Sequence, residues 1–237
     1  MFSIRFQGAP IVRDSGATLE TLDAATAKEI ERVWDAAQAR RGTPLFNGTL
    51  FSVDAIQAAE ICGHFVEYKW FIAVREIPGL QPILRIQPLA VTGVLRCADG
   101  IVFGRRSQVV TQDQGLWELV PAGGLSVSCR QPDGTLDVGA QILEELEEEI
   151  GLGRKHVTRM RPFCVVEDTA THVFDVAIEV VTSASKDAIE SAFRMDLPRE
   201  YDAIEIIADT EVEAFVEQHG QDLAPLSAFL LQRVAVR

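Results

Sequence analysis

QILEELEEEIGL, residues 141–152, packs five glutamates into six positions, Glu144 to Glu149, broken only by Leu146. Like charges at i,i+4 on a helix cost about 0.2–0.5 kcal/mol per pair. Anions near a helix C-terminus also oppose its dipole. The stretch is therefore either a solvated acidic face or a surface built to hold a cation. Helical spacing sorts its residues. Ile142, Leu146 and Ile150 form one stripe that anchors the helix in a core. Gln141, Glu145, Glu148 and Glu149 share another face, by the i, i+3, i+4 rule. Glu144 and Glu147 flank that face, with Glu147 toward solvent. The helix is expected over residues 137–150, capped by Thr135 or Asp137 and ended by Gly151 or Gly153. Converging carboxylates suit a hard divalent cation such as Mg²⁺, which takes oxygen ligands and keeps waters or phosphates in its shell.

The surrounding sequence reads as strands. Residues 86–95 are a mostly apolar strand, AlaAspGly at 98–100 is a hairpin turn, and IleValPheGly follows, then Arg105 and Arg106. Residues 116–120, LeuTrpGluLeuVal, form another strand closed by ProAlaGlyGly. Residues 172–182 and 201–208 are further strands, and 211–218 a further helix. Strands on both sides of one central helix give an α+β class with a mixed sheet.

Upstream, residues 20–40 carry apolar positions at helical spacing: Leu22, Ala25, Ile30, Val33, Trp34 and Ala37. ArgArgGlyThrPro at 40–44 ends that helix. PheAsnGly at 46–48 is a turn, and residues 49–53 start a strand. Residues 64–76 hold Phe65, Tyr68, Trp70, Phe71 and Val74, an aromatic and β-branched run expected as a strand. The segment 1–85 is an N-terminal α+β module and 86–237 the main domain.

The chain of 237 residues is 47% apolar, enough for a substantial core, and carries a net charge of −13. That charge argues against a nucleic-acid partner. The four cysteines, Cys62, Cys97, Cys129 and Cys164, show no metal or disulfide spacing and fit a reducing compartment. MFSIRFQGAP lacks the long apolar run of a signal peptide, and no run reaches membrane-spanning length. A cytoplasmic protein with no membrane partner is expected. His64, His156, His172 and His219 have no ligand spacing among them.

GluGluLeuGluGluGluIleGlyLeu, 144–152, resembles the second half of the Nudix box, Arg-Glu-apolar-x-Glu-Glu-x-Gly-apolar. Only the first position departs, with Glu144 in place of Arg. ValThrGlyValLeu (91–95), ValPheGlyArgArgSer (102–107) and TrpGluLeuValProAlaGlyGlyLeu (117–125) occur in the order seen in Nudix domains. The resemblance covers about residues 86–217. It implies a Nudix-like α/β/α sandwich and a metal-dependent hydrolase of a nucleoside diphosphate linked to another moiety, with Mg²⁺ or Mn²⁺ as cofactor. It implies Glu145, Glu148 and Glu149 as metal ligands, with the Gly123 carbonyl as a further one. Glu145, Glu149, Glu144 and Glu200 are the catalytic candidates. Glu200 stands for a base from a later loop, ahead of Asp202 and Glu205. Arg105, Arg106, Trp117 and Asn47 are the substrate-binding candidates. Adjacent strand residues face opposite ways, so only one arginine of the pair is expected to act.

Two departures qualify the likeness. About six extra residues separate the glycine pair from the helix, and Leu136 stands where the family has an earlier glutamate. A Nudix-fold nucleotide-binding or regulatory module with little hydrolysis is the alternative, and a homodimeric scaffold built through the N-terminal module is a third. Trp34 with the segment 40–51 is similar to a stretch preceding the Nudix domain in a branch that includes UDP-glucose and UDP-galactose diphosphatases. That likeness implies a nucleotide sugar such as UDP-glucose, with Asn47 near substrate or simply in a packed turn.

Overall fold

A computed structural model describes residues 1–18, 22–40, 45–110, 112–193 and 200–234. In chain order the strands and helices are β1 (Phe2–Gln7), β2 (Ile11–Asp14), α1 (Ala24–Ala39), β3 (Thr49–Gln57), β4 (Glu60–Glu67), α2 (Tyr68–Glu76) and α3 (Gln81–Leu84). Next come β5 (Leu89–Cys97), β6 (Gly100–Arg106), β7 (Trp117–Leu119), β8 (Ala122–Gly124), β9 (Thr135–Leu136) and α4 (Val138–Glu145). The remainder is β10 (Val157–Asp168), β11 (Val173–Thr182), α5 (Lys186–Phe193), β12 (Tyr201–Ile207), α6 (Val212–His219) and α7 (Pro225–Leu231).

The larger sheet runs β1-β10-β11-β5-β6-β12, with β7 added to β6 and β8 to β5. The β11–β5 pair is parallel and its neighbours are antiparallel, so the sheet is mixed. Alternation along its strands feeds two cores. Phe174, Val176, Ile178 and Val180 of β11 point to one side, where Ile142, Leu146 and Ile150 meet them. Ala177 points to the other side with Val94, Phe103 and Val166, against Val212 and Phe215 of α6 and Leu230 and Leu231 of α7. Helices cover both faces, which makes the α/β/α sandwich. Each fully buried Leu or Ile contributes about 1.5–3 kcal/mol relative to exposure, so the stripe of three fixes which face of α4 turns outward.

A second sheet, β3-β4-β2-β9, packs Val12, Phe51, Val53 and Ile61 into the same core as α4. The segment before residue 85 does not stand apart from the rest. β1 pairs with β10 at the edge of the large sheet, and β2 pairs with β9. Leu136 is buried in β9 opposite Val12, so the leucine at the family's glutamate position is a core residue here. Among the described residues no helix is long and apolar enough to cross a membrane.

One segment corrects the sequence reading. The strand expected over 64–76 stops at Glu67, and the chain continues as α2. The aromatics favour a strand locally, but tertiary contacts override that preference. Asn47 Oδ1 accepts the Lys69 amide at 2.9 Å, and the Gly48 carbonyl accepts the Tyr68 amide, so the first turn of α2 is capped from outside. Tyr68 then meets Trp34 of α1 edge-on, and Phe71 and Ala73 are buried against Ile30 and Val33. The expected helix over 20–40 is present as α1, capped by Asp23, which accepts from Ala25 and Thr26. Residues 41–44 of its expected stop lie outside the described residues.

Candidate active site

The site grows from α4. Asp137 caps it, its side chain accepting from the Gly139 and Ala140 amides. After Glu145 the helix widens into one π turn, Leu146–Ile150, and Gly151 ends it in the left-handed region at φ 81°. Single π turns occur frequently at functional sites. With Leu146 and Ile150 held in the core, Glu145 and Glu149 are turned toward β8. A Cβ built on Gly123 would overlap the Glu145 carboxylate, so only glycine lets the helix and strand close to this distance. Glu149 Oε2 accepts the Ala122 amide at 3.1 Å. The glycine-containing strand and the acidic helix therefore meet face to face.

The Glu145 carboxylate is oriented by Gln141, one turn earlier. The Gln141 amide donates to Glu145 Oε1 at 2.8 Å, and its own oxygen accepts the Ser126 amide at 2.9 Å. Gln141 is buried, so one side chain ties the loop after β8 to the carboxylate. Glu144 plays a different part. Its Oε2 accepts the Ser128 hydroxyl at 2.9 Å, which in turn is hydrogen-bonded to Ser126. The glutamate at the arginine position of the box anchors the loop that carries the extra residues.

Across the sheet Arg106, at the end of β6, supplies the positive charge. Its Nη1 lies 2.6 Å from Glu118 Oε1 and 2.8 Å from Glu200 Oε1. Its Nε donates to the Gln112 carbonyl at 2.9 Å. The Tyr201 hydroxyl donates to Glu118 Oε1 at 2.6 Å. Glu118 and Tyr201 were not candidates from the sequence. The signal for Glu118 was present: a single charge between Trp117 and Leu119 in an apolar strand must be buried and paired.

The carboxylates perturb one another. Burial pushes Glu145 up to about 7, with Glu148, Glu200 and Glu144 adding to the rise against the Gln141 hydrogen bond. Burial, then Glu200 and Glu145, hold Glu149 well above the ordinary carboxylate range. Burial also raises Glu118, opposed by Arg106 and the Tyr201 hydroxyl. Crowded carboxylates stay protonated or bind a cation. Among the described residues no three His, Cys, Asp or Glu side chains converge into a metal site. Glu149 Oε1 is buried without a hydrogen-bond partner. A buried carboxylate oxygen left unpaired costs free energy. Hard oxygen donors are the set that Mg²⁺ or Mn²⁺ prefers. The residues present fit such an ion.

The structure separates the sequence candidates. It brings together Glu145, Glu149, Glu200 and Arg106, with Glu148 exposed on the rim. It does not bring Arg105, Trp117 or Asn47 there. Trp117 is buried in the second core, beside Phe215 and His219. Arg105 lies over the Trp117 ring and pairs with Asp202. Asn47 caps α2 and donates to Glu67 at 2.7 Å. Glu205 is exposed on β12. His64 pairs with Asp54 and His172 with Glu167, away from the cluster.

No family model and no curated protein matches the sequence. Solved structures do. DR0079 from Deinococcus radiodurans superposes with a TM-score of 0.53 at 16% identity, covering 79% of this chain and 99% of that one. The NUDIX domain of Shewanella oneidensis NrtR, complexed with ADP ribose, gives a TM-score of 0.46 at 18% identity, over 64% of this chain and 88% of that one. A bifunctional NMN adenylyltransferase/ADP ribose pyrophosphatase from Francisella tularensis, complexed with AMP and a Mn ion, gives 0.46 at 15%, over 68% of this chain and 45% of that one. With its mixed sheet between helices, the chain shares its fold with DR0079.

Proposed function

We propose that this protein is a divalent-metal-dependent hydrolase that cleaves the diphosphate of a nucleoside diphosphate linked to another moiety. The observation that carries the reading is Glu149 Oε1, a buried carboxylate oxygen without a hydrogen-bond partner, on a carboxyl that feels the charges of Glu200 and Glu145. Glu145 and Glu149 are the principal ligands for Mg²⁺ or Mn²⁺, with Glu148 and the Gly123 backbone completing the protein's share. A divalent ion held there would neutralise the substrate's diphosphate and lower the pKa of a bound water. Gln141 keeps Glu145 turned toward β8. Glu200, partly exposed and paired with Arg106, would accept a proton from the attacking water, a role its exposure and its ion pair support. The finer reading is a nucleotide sugar such as UDP-glucose in a cytoplasmic setting, supported by the similarity around Trp34 and residues 40–51.

The test is turnover of UDP-sugars, ADP-ribose, dinucleoside polyphosphates and NADH with Mg²⁺ or Mn²⁺. Wild type should hydrolyse at least one class, and Glu145→Gln with Glu149→Gln should abolish it. Unchanged turnover in that double variant overturns the assignment. A second reading, a nucleotide-binding module with little hydrolysis, is favoured by one observation. Both departures from the box are built into the structure, Glu144 through Ser128 and Leu136 through β9. Calorimetry separates the two, because tight nucleotide binding with no turnover across the panel supports the second.

A further inference from the structure

Arg106 stands out among the groups near the carboxylates. It is the cation paired with both Glu118 and Glu200, and its contacts tie three separate segments. Nε fixes the β6–β7 loop at the Gln112 carbonyl. Nη1 reaches Glu118 on β7 and Glu200 just before β12. The backbone reinforces the last link, since the Ser107 amide donates to the Glu200 carbonyl at 2.7 Å. On the far side of Glu118, the fully buried Tyr201 donates to the same oxygen that Arg106 engages. Glu118 thus has two donors on one oxygen and sits at the floor of the arrangement, while Glu200 sits at its open end.

We infer that Arg106 is a positioning residue that holds the Glu200 carboxylate at the rim of the acidic cluster, with buried Glu118 and Tyr201 as its anchor. The inference rests on the proposed hydrolase reading. It also gives Arg106 a role other than gripping a substrate phosphate. One terminal nitrogen, Nη1, is shared by two carboxylates, and Nε is committed to a carbonyl. A planar guanidinium can serve these directions together; a lysine ammonium is a point charge on a flexible stem and cannot hold the same fork. Acting through Glu200, Arg106 should govern the rate of the chemical step and leave substrate affinity alone.

The experiment compares kcat, KM and Tm of wild type, Arg106→Gln, Arg106→Lys, Glu200→Gln, Arg106→Gln with Glu200→Gln, and Arg106→Gln with Glu118→Gln. Arg106→Gln should lower kcat about 100-fold, the cost of a misplaced group in a reacting site, with KM within about 2-fold of wild type. Arg106→Lys should keep the charge and still lose most of the rate. In the Glu200→Gln background, removing Arg106 should change kcat by less than about 2-fold, because the group it positions is already gone. Arg106→Gln strands a buried carboxylate and should lower Tm; adding Glu118→Gln should restore Tm but not kcat. That last pair separates positioning from mere support of the fold, and it supplies a stable variant if Arg106→Gln alone does not fold. Recovery of kcat together with Tm overturns the inference. So do independent, multiplicative losses for Arg106 and Glu200, or a raised KM at unchanged kcat. An inactive wild type overturns the hydrolase reading and this role with it, whereas an active wild type with the wrong variant pattern overturns this role alone.

Discussion

Replacing Gly123 by alanine tests how closely β8 and the acidic helix approach. The added methyl would overlap the Glu145 carboxylate, with Oε2 only 2.7 Å away and the other carboxyl atoms closer still. Ordinary contact begins near 3.4 Å, so the carboxylate must retreat by about 1 Å. Gln141 holds that carboxylate on one side and the core holds Leu146 on the other, so the retreat is resisted. Overpacking of this kind costs about 1–3 kcal/mol. At about 2–4 °C of Tm per kcal/mol for a chain this size, the melt should fall by roughly 2–12 °C. Mn²⁺ affinity should fall about 10–100-fold, as it does when the groups around metal ligands are disturbed. Gly124→Ala is the matched control, because nothing lies within 4 Å of a Cβ there and its φ is ordinary. Gly123→Ala with Glu145→Ala should recover most of the lost Tm without recovering metal affinity. Differential scanning calorimetry and Mn²⁺ titration read both quantities. Equal behaviour of the two single alanine variants would refute the close approach.

Three further outcomes follow from other parts of the structure. Asp175 is buried on β11 with Oδ1 accepting the Thr92 hydroxyl at 2.9 Å, and burial raises its pKa from 3.8 to about 6. The folded state therefore binds this proton more tightly. The stabilisation is full below about pH 3.8 and is lost as pH rises to about 6, by up to ~3 kcal/mol. Asp175→Asn should make that slope shallower and be the more stable protein at pH 7; urea unfolding from pH 4 to 8 checks it, and a variant profile as steep as that of wild type contradicts it. Asn47→Ala should cost about 1 kcal/mol through loss of the α2 cap, with KM unchanged in steady-state assays; a raised KM at unchanged stability would place Asn47 at the substrate instead. Glu144→Gln should keep turnover within the same order of magnitude as wild type, since an amide oxygen can still accept from Ser128, whereas Glu149→Gln should lose it.

The acidic helix was legible because several levels of sequence agree there. Asp137 caps it, an apolar stripe at 142, 146 and 150 orients it, and Gly151 stops it. Orientation of the stripe put Gln141, Glu145, Glu148 and Glu149 on one face; that Glu145 and Glu149 turn toward β8 while Glu148 stays exposed is visible only in the fold. α2 was misread because Phe65, Tyr68, Trp70 and Phe71 carry strand preference, while the contacts that impose a helix come from Asn47 and α1. β10 carries Arg159, Arg161 and Pro162 within its length and shows no clean alternation, so its place beside β11 and β1 is visible only in the fold. Glu118 was passed over because a strand residue's partner comes from elsewhere in the chain: Arg106 lies one strand earlier, and Tyr201 is 83 residues away. The split between Arg105 and Arg106 was expected from strand alternation. Which one faces the carboxylates was settled by the pairing of β6 with β7 and β12.

The central claim is that Glu145 and Glu149 hold a divalent cation, and Mn²⁺ titration by calorimetry without substrate tests it most directly. Wild type should bind, and Glu145→Gln and Glu149→Gln should each weaken binding by more than ~10-fold while remaining folded. Binding in the double variant equal to that of wild type would contradict the account.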